Sequence, residues 1–182
     1  MIRRYALAAL VALTTASPVA AETRWIVDHA ASALGFSVSI GGRDSEGSFA
    51  NWQAMIVFDP QNPGAGQVNV TVDIASVTID APQAAAAIAA PDWLGVIAHP
   101  QASFHVRGLL WRPSGNLTVP GTLTLKGVTA DLVLSGTLTI TDGQAVAALR
   151  GTIPRAAFGV GTPDPAVEPE VQISVLLHAT TE

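Results

Sequence analysis

Cysteine is absent from this 182-residue sequence, and aromatic and charged residues are scarce, at 5% and 13%. Without cysteine the chain has no disulfide and no thiolate metal site, so its stability must come from its core. Apolar residues nevertheless make up 49% of the sequence. Because so few of them are aromatic, they are mainly Ala, Val, Leu and Ile, a composition that favours strands with slim side chains.

Positive charge is also scarce. Two of the nine Lys and Arg residues, Arg3 and Arg4, lie close to the N-terminus. The residues after position 21 therefore carry seven basic against fourteen acidic side chains, a net charge of −7. This surplus of negative charge opposes binding to nucleic acid or to anionic lipid headgroups, so we expect no nucleic-acid partner.

Residues 1–21 have the pattern of a secretory signal peptide. Arg3 and Arg4 give a positive start, Tyr5–Leu13 form an apolar run, and the segment ends in Val19-Ala20-Ala21. A membrane-spanning helix needs about 20 apolar residues, and this run is far shorter. We therefore predict cleavage after Ala21, one mature domain over residues 22–182, and a periplasmic or secreted location.

Strict alternation of apolar and polar residues dominates the rest of the chain and predicts strands with one dry and one wet face. The clearest example is residues 67–74, where every second residue is Val or Ile. The same signal predicts strands at 34–40, 49–58, 103–111, 117–125, 132–140, 145–153 and 171–177. About eight antiparallel strands in a single domain predict a closed barrel or a sandwich.

Turn residues separate these runs, and one stretch departs from the strand pattern. Asp142-Gly143 favours a tight two-residue hairpin, and Gly41-Gly42 marks another strand end. The Ala-rich segment Gln83–Ala90, with Pro82 before it, predicts a short helix. A second turn or helix is expected from Asp92 to Ala98.

Several segments, taken together and in order, resemble the YceI-like domain family. They are Trp25–Asp28 with Ser32, Leu34 and Phe36; Gly47–Phe49 and Ile56–Asp59; Trp93–Val96 and His99–Phe104; Gly121–Thr129; and Arg155, Phe158–Val160 and Glu170-Val171. The segment Gly121–Thr129 is the most specific of these. The resemblance implies an all-β fold, an extended, lipocalin-like antiparallel barrel of eight strands with a short helical crossover. It also implies a periplasmic carrier whose interior holds a polyisoprenoid or an isoprenoid quinone.

The side chains that point inward from successive strands are the candidate lipid-binding residues. We expect the cavity to be lined by Phe36, Val38, Phe49, Val70, Val72, Phe104, Val106, Leu123, Leu125, Leu132 and Leu134. No cofactor is expected apart from the isoprenoid or quinone ligand, and no metal or catalytic residue is assigned. Transient contact with a membrane or a membrane redox protein, and a homodimer, are left open. From the residues alone a solidly filled core, with no tunnel, fits the alternation equally well.

Two other classes of protein compete with a carrier. A small outer-membrane barrel also has alternating strands, but it carries aromatic girdles, whereas the four Trp residues here are scattered. A periplasmic enzyme is the third possibility, although the sequence has no nucleophile elbow, phosphate loop or His-Glu-x-x-His motif. His105 alternates with Phe104 and Val106, so we expect its side chain on the wet face. Asp28 and Arg155 are expected either to form a buried ion pair or to touch a polar headgroup.

Overall fold

The computed structural model describes residues 23–161 and 164–182. Within them, twelve β-strands form a single antiparallel sheet. The strands are β1 (Arg24–Val27), β2 (Ala33–Ile40), β3 (Arg43–Phe49), β4 (Trp52–Val57), β5 (Gln67–Asp73), β6 (Val77–Ile79), β7 (Gln101–Arg107), β8 (Leu110–Trp111), β9 (Asn116–Leu125), β10 (Val128–Thr141), β11 (Gln144–Pro154) and β12 (Glu170–Thr181). One α-helix, α1 (Pro82–Ala87), and three 3₁₀ turns, at Pro63–Ala65, Ile74–Ser76 and Arg155–Phe158, complete the described elements.

Eight of these strands, joined in the order β1-β4-β5-β7-β9-β10-β11-β12, close into a barrel when β12 pairs with β1. The same edge of β12 that pairs with β1 through its C-terminal residues pairs with β2 through its N-terminal half, and β2 continues through β3 to β6. Thus β1 with β2, β3 with β4, and β5 with β6 behave as three long strands with an interruption in each. The eight-stranded antiparallel barrel expected from the sequence is confirmed.

The alternation of the sequence decides which face of each strand points into the barrel. On β10 the buried positions are Leu132, Leu134 and Leu138, and the outward positions between them, Val133, Ser135 and Thr137, are exposed. On β11 the alternate residues from Ala145 to Ile153 point inward in the same way. Because side chains alternate across a strand, one run of apolar residues supplies the interior while its polar partners face outward.

Two tight turns connect the longest strands. Asp142 and Gly143 both have positive φ, 50° and 75°, and join β10 to β11, as the sequence predicts. Lys126 and Gly127, with φ of 51° and 77°, join β9 to β10 in the same manner. Two central residues in the left-handed region match the twist of the flanking strands, which is why glycine is required at the second position.

The helix is shorter than its sequence predicts. It spans Pro82–Ala87 rather than Gln83–Ala90, and its N-cap, Ala81, has no side chain that can bond the first amide groups. Short helices are marginal without caps or tertiary packing, and this helix ends after six residues although the Ala-rich sequence continues. Residues 92–98 form turns. We refer to residues 80–100 as the crossover.

Candidate functional site

A cavity of about 290 Å³ occupies the lumen of the barrel. Of the 41 described residues that line it, 40 are apolar and the other is Arg155. An engineered apolar cavity of about 150 Å³ is enough to stay dry and bind benzene. The lumen is therefore an apolar binding site of useful size, and the solidly filled core that the residues alone left open does not describe it.

Ten of the eleven residues expected at the cavity line it. They are Phe36, Val38, Phe49, Val70, Val72, Phe104, Leu123, Leu125, Leu132 and Leu134. The other, Val106, points inward as expected but is only 1% exposed and does not line the cavity. It lies between Val68 and Gly121 on the neighbouring strands and is enclosed by their packing. Contact between these residues and a lipid remains a prediction.

Sequence reasoning missed one whole wall of the cavity. The inward face of β12 lines it with Val171, Ile173, Val175, Leu177 and Ala179. Their alternation marked this segment as a strand, and the same signal would have placed them beside the other lining residues. Further lining residues that were missed include Trp25, Leu34, Ile40, Trp52, Ile56, Phe58, Ile88 and Trp93.

One end of the barrel, which we call the aromatic end, is closed by Trp25, Phe58 and Trp111. The indole Nε1–H of Trp25 donates to the carbonyl of Phe58 at 2.8 Å, and Trp25 is only 6% exposed. The rings of Phe58 and Trp111 meet edge to face with centroids 6.2 Å apart. Leu109 and Leu117 fill the space between the strands and are buried as well. This end is packed like an ordinary protein core.

The opposite end, which we call the crossover end, is formed by the crossover, the Lys126-Gly127 turn and the loop from residue 155 to residue 169. Ala84, Ile88 and Trp93 of the crossover line the cavity, yet each is only partly buried. The crossover therefore covers the lumen at this end with side chains that it does not bury completely.

Arg155 organises the loop at the crossover end. Its guanidinium has five N–H donors, and all of them point at backbone carbonyls. Nε donates to Glu168, and the two terminal nitrogens donate to Val160, Gly161, Asp164 and Val167. The side chain is 7% exposed and no described carboxylate accepts from it, so backbone dipoles alone solvate this charge.

The expected pairing of Asp28 with Arg155 is wrong. The Asp28 carboxylate instead accepts from the backbone amides of Ala30 and Ala31, at 2.9 and 3.2 Å. Aspartate commonly makes such bonds at a turn, and here they stabilise the interruption between β1 and β2. With all five of its N–H groups occupied, Arg155 also has no donor left for a headgroup.

The outer face of the barrel is mostly polar. On β10 the outward positions include Asp131, Ser135 and Thr139. His105 is exposed, as expected, and its Nδ1 lies 2.8 Å from Asn69 Oδ1 on the neighbouring strand. The side chains that face lipid in a transmembrane barrel are apolar, whereas here most of the large apolar side chains face the lumen, with Val133, Val146 and Leu176 among the exposed exceptions.

Among residues 23–161 and 164–182, no three or more His, Asp or Glu side chains are grouped so that they could hold a metal ion. None of the helices in that part of the chain has the length and hydropathy needed to cross a membrane.

Comparison with known proteins decides the family. The family model for the YceI-like domain matches residues 25–179. The chain belongs to the YceI-like domain family. Protein YceI of Salmonella arizonae and that of Salmonella enteritidis are each 30% identical over 126 residues, which is 69% of this chain. The matched segment spans 65% of the length of these relatives.

Solved structures share the fold. BcnA of Burkholderia cenocepacia superposes with a TM-score of 0.79 and 28% identity, covering 85% of this chain and all of that one. The YceI protein of Campylobacter jejuni has a TM-score of 0.67 and 22% identity, and the match covers 75% of this chain and 84% of that one. A polyisoprenoid binding domain from Saccharophagus degradans has a TM-score of 0.61 and 14% identity, and the match covers 88% of this chain and all of that one.

Proposed function

We propose that this protein is a periplasmic carrier that holds a long apolar lipid, a polyisoprenoid or an isoprenoid quinone, in the lumen of its barrel. The observation that carries the proposal is the cavity of about 290 Å³, with 40 apolar residues among the 41 that line it. Each methylene group that leaves water contributes about 0.8 kcal/mol, so a long hydrocarbon chain binds such a lumen without a hydrogen bond.

The polar headgroup of this lipid stays outside the lumen. Arg155 is the one charged residue among those that line the cavity, and its five N–H groups already bond to carbonyls. The remaining polar side-chain atoms of the lining are three indole N–H groups, of which that of Trp25 already donates to Phe58. A buried polar group without a partner costs about 1–3 kcal/mol, so a quinone ring or a phosphate would be unfavourable inside. The protein therefore selects its ligand by the hydrocarbon chain.

The lipid enters and leaves at the crossover end. At the aromatic end the lining residues Trp25 and Phe58 are 6% and 4% exposed and are joined by a hydrogen bond. At the crossover end Ala84, Ile88 and Trp93 lie over the lumen and are only partly buried. Opening the crossover breaks fewer packed contacts than opening the aromatic end.

The relatives support a binding role rather than catalysis. A structure that shares the fold is described as a polyisoprenoid binding domain, and the YceI-like family model covers most of this chain. The outward polar residues of the barrel favour a carrier in aqueous solution over an integral outer-membrane barrel. Transient contact with a membrane or a membrane redox protein, and a homodimer, remain predictions.

The periplasmic location rests on the signal peptide, which lies outside the described residues. Cell fractionation with sequencing of the mature N-terminus tests it. We expect the mature chain to begin at Glu22 and to be found in the periplasmic fraction. Recovery in the outer-membrane fraction would support the integral barrel instead.

Solvent extraction of the purified native protein, followed by mass spectrometry, tests the ligand. We expect one prenyl-chain lipid per barrel. An extract that holds no lipid, from a protein that also fails to bind added geranylgeraniol, would contradict the carrier function.

Replacing Val72 with Trp tests whether the lumen is the binding site. Val72 lines the cavity and is 9% exposed, so an indole there fills space that the lipid would occupy. We expect the amount of retained lipid to fall at least tenfold. Thr71 is the matched control, because it is the next residue of β5 and points outward, and Thr71→Trp should retain the lipid. Equal retention by the two folded variants would place the lipid elsewhere.

A further inference from the structure

Four inward positions of the described barrel strands carry no side chain; at one of them, Gly136, an added Cβ would overlap neighbouring backbone, and the other three lie beneath side chains. Gly47 in β3, Gly121 in β9 and Gly151 in β11 occupy the alternating positions whose neighbours, such as Leu123 and Ile153, line the cavity. Glycine is disfavoured inside strands, where it often marks a close approach of other atoms. None of the three has a positive φ, so backbone conformation does not require glycine at these positions.

A large cavity-lining side chain lies over each of these glycines. The ring of Phe36 lies so close over Gly47 that a Cβ there would overlap it. A Cβ at Gly121 would lie 2.7 Å from two ring carbons of Phe104. A Cβ at Gly151 would lie 2.6 Å from Leu134 Cδ2. In each case the side chain comes from a neighbouring strand and occupies the space that the Cβ of any larger residue at the glycine position would need.

These contacts let three lining side chains, those of Phe36, Phe104 and Leu134, rest against the wall of the barrel. If a methyl group filled one of the positions, the side chain above it would have to turn into the lumen, since strands and neighbouring side chains close off the other directions. We propose that Gly47, Gly121 and Gly151 set the bore of the lumen, by which we mean its inner width, and thereby decide which hydrocarbon chains fit it. The effect on ligand choice rests on the proposed function, whereas the bore is a property of the barrel itself.

The bore selects for chain shape. A prenyl chain carries a methyl branch on every fourth backbone carbon, whereas a straight alkyl chain has the width of a methylene chain throughout. Loss of one methyl group's worth of space in an apolar pocket changes affinity by about tenfold or more. Narrowing the lumen therefore weakens binding of the branched chain first, and the straight chain less.

Gly151→Ala is the cleanest test, because its nearest contact is the flexible end of Leu134 and its nearest backbone atom, Val133 O, is 3.0 Å away. At Gly121 the carbonyl of His105 lies at 2.6 Å, so alanine there also displaces backbone. Leu134→Val shortens the overlying side chain and should restore the space. Gly64→Ala is the control, because an added Cβ there meets no atom within 4 Å.

The experiment measures two quantities for wild type, Gly151→Ala, Leu134→Val, the double variant and Gly64→Ala. One is uptake of xenon into the lumen, by ¹²⁹Xe NMR; the other is affinity for geranylgeraniol and for hexadecanol. We expect Gly151→Ala to lower xenon uptake severalfold and geranylgeraniol affinity about tenfold, with a smaller loss for hexadecanol. In the double variant, xenon uptake and geranylgeraniol affinity should both return to within about threefold of the values for Leu134→Val. Both quantities for Gly64→Ala should match those of wild type.

The alternative role for these glycines is to let the strands bend, and the double variant separates the two roles. A bend lost in Gly151→Ala would not be recovered by shortening Leu134, so absence of recovery overturns the proposal, as does unchanged xenon uptake in folded Gly151→Ala. If Gly151→Ala does not fold, recovery of folding by Leu134→Val supports the proposal and its failure overturns it. Xenon uptake separates this result from the carrier function: wild type that admits xenon but binds neither alcohol contradicts the function and leaves the test of the bore intact.

Discussion

The two ends of the barrel are closed by different means. Within the described residues, one core cluster of sixteen buried apolar residues runs along the barrel from Trp25 and Phe58 at the aromatic end to Phe158, whereas the crossover packs in a separate cluster of four: Val72, Ile74, Leu94 and Ala102. The aromatic end is held by packing and by an indole hydrogen bond. The crossover end is held by a small buried cluster and by a loop whose carbonyls converge on Arg155. The aromatic end is therefore closed by the packing of large side chains, whereas the crossover end depends on a loop and a short helix, and the proposed route of the lipid passes that end.

The largest expected effect follows from removing Arg155. Arg155→Met deletes five N–H donors and leaves buried carbonyls without partners, so we expect the free energy of unfolding to fall by about 3–5 kcal/mol. Arg150→Met, at an exposed outward position of β11, should change it by less than about 0.5 kcal/mol. Urea unfolding of both variants measures the difference. Equal stability of the two variants would mean that the crossover end does not depend on this residue.

Removing one Trp from each end compares the ends directly. Trp93 lines the cavity in the crossover and covers Gly161, so Trp93→Ala should speed lipid release by about tenfold, equivalent to about 1.4 kcal/mol. Trp25→Phe should lower the free energy of unfolding by about 1–3 kcal/mol through the orphaned Phe58 carbonyl, with release unchanged. Stopped-flow displacement of a fluorescent fatty acid measures release. Faster release from Trp25→Phe alone would place the exit at the aromatic end.

The smallest expected effect concerns the two tight turns. Lys126 has a left-handed backbone that asparagine adopts more readily, but its Nζ also donates to Gly159 O at 2.6 Å. Lys126→Asn should therefore change the free energy of unfolding by less than about 0.5 kcal/mol, because the two effects oppose one another. Asp142→Lys, at the aromatic end, has no such compensation and should lose about 0.5–1 kcal/mol. Thermal unfolding of both variants measures the difference. An equal loss of stability in the two would show that the Lys126 contact outweighs the backbone preference of asparagine.

Alternation in the sequence was sufficient to predict the antiparallel strands and the direction of most side chains, and the resemblance to the YceI-like family added that the strands close into a barrel. It could not predict the interruptions within long strands, such as residues 28–32, because they depend on local bonds such as those of Asp28. It could not tell that Val106 is enclosed while Phe104 borders a void, since that depends on what neighbouring strands place beside each residue. The hydrogen bonds of Arg155 could not be predicted either, because its carbonyl partners lie in a loop whose sequence has no periodic pattern.

The pairing of β12 has a consequence for the order of events during folding. Trp25 pairs with Thr181 and Leu34 with Val175, so the strands that close the barrel come from opposite ends of the chain. Contacts between residues so distant in sequence are typical of slow folding, in milliseconds to seconds. No partial chain can close the cylinder, and a newly made polypeptide stays open until its last strand is available. The export that we propose for this chain would benefit from the delay, because a chain that is still open can cross a membrane unfolded.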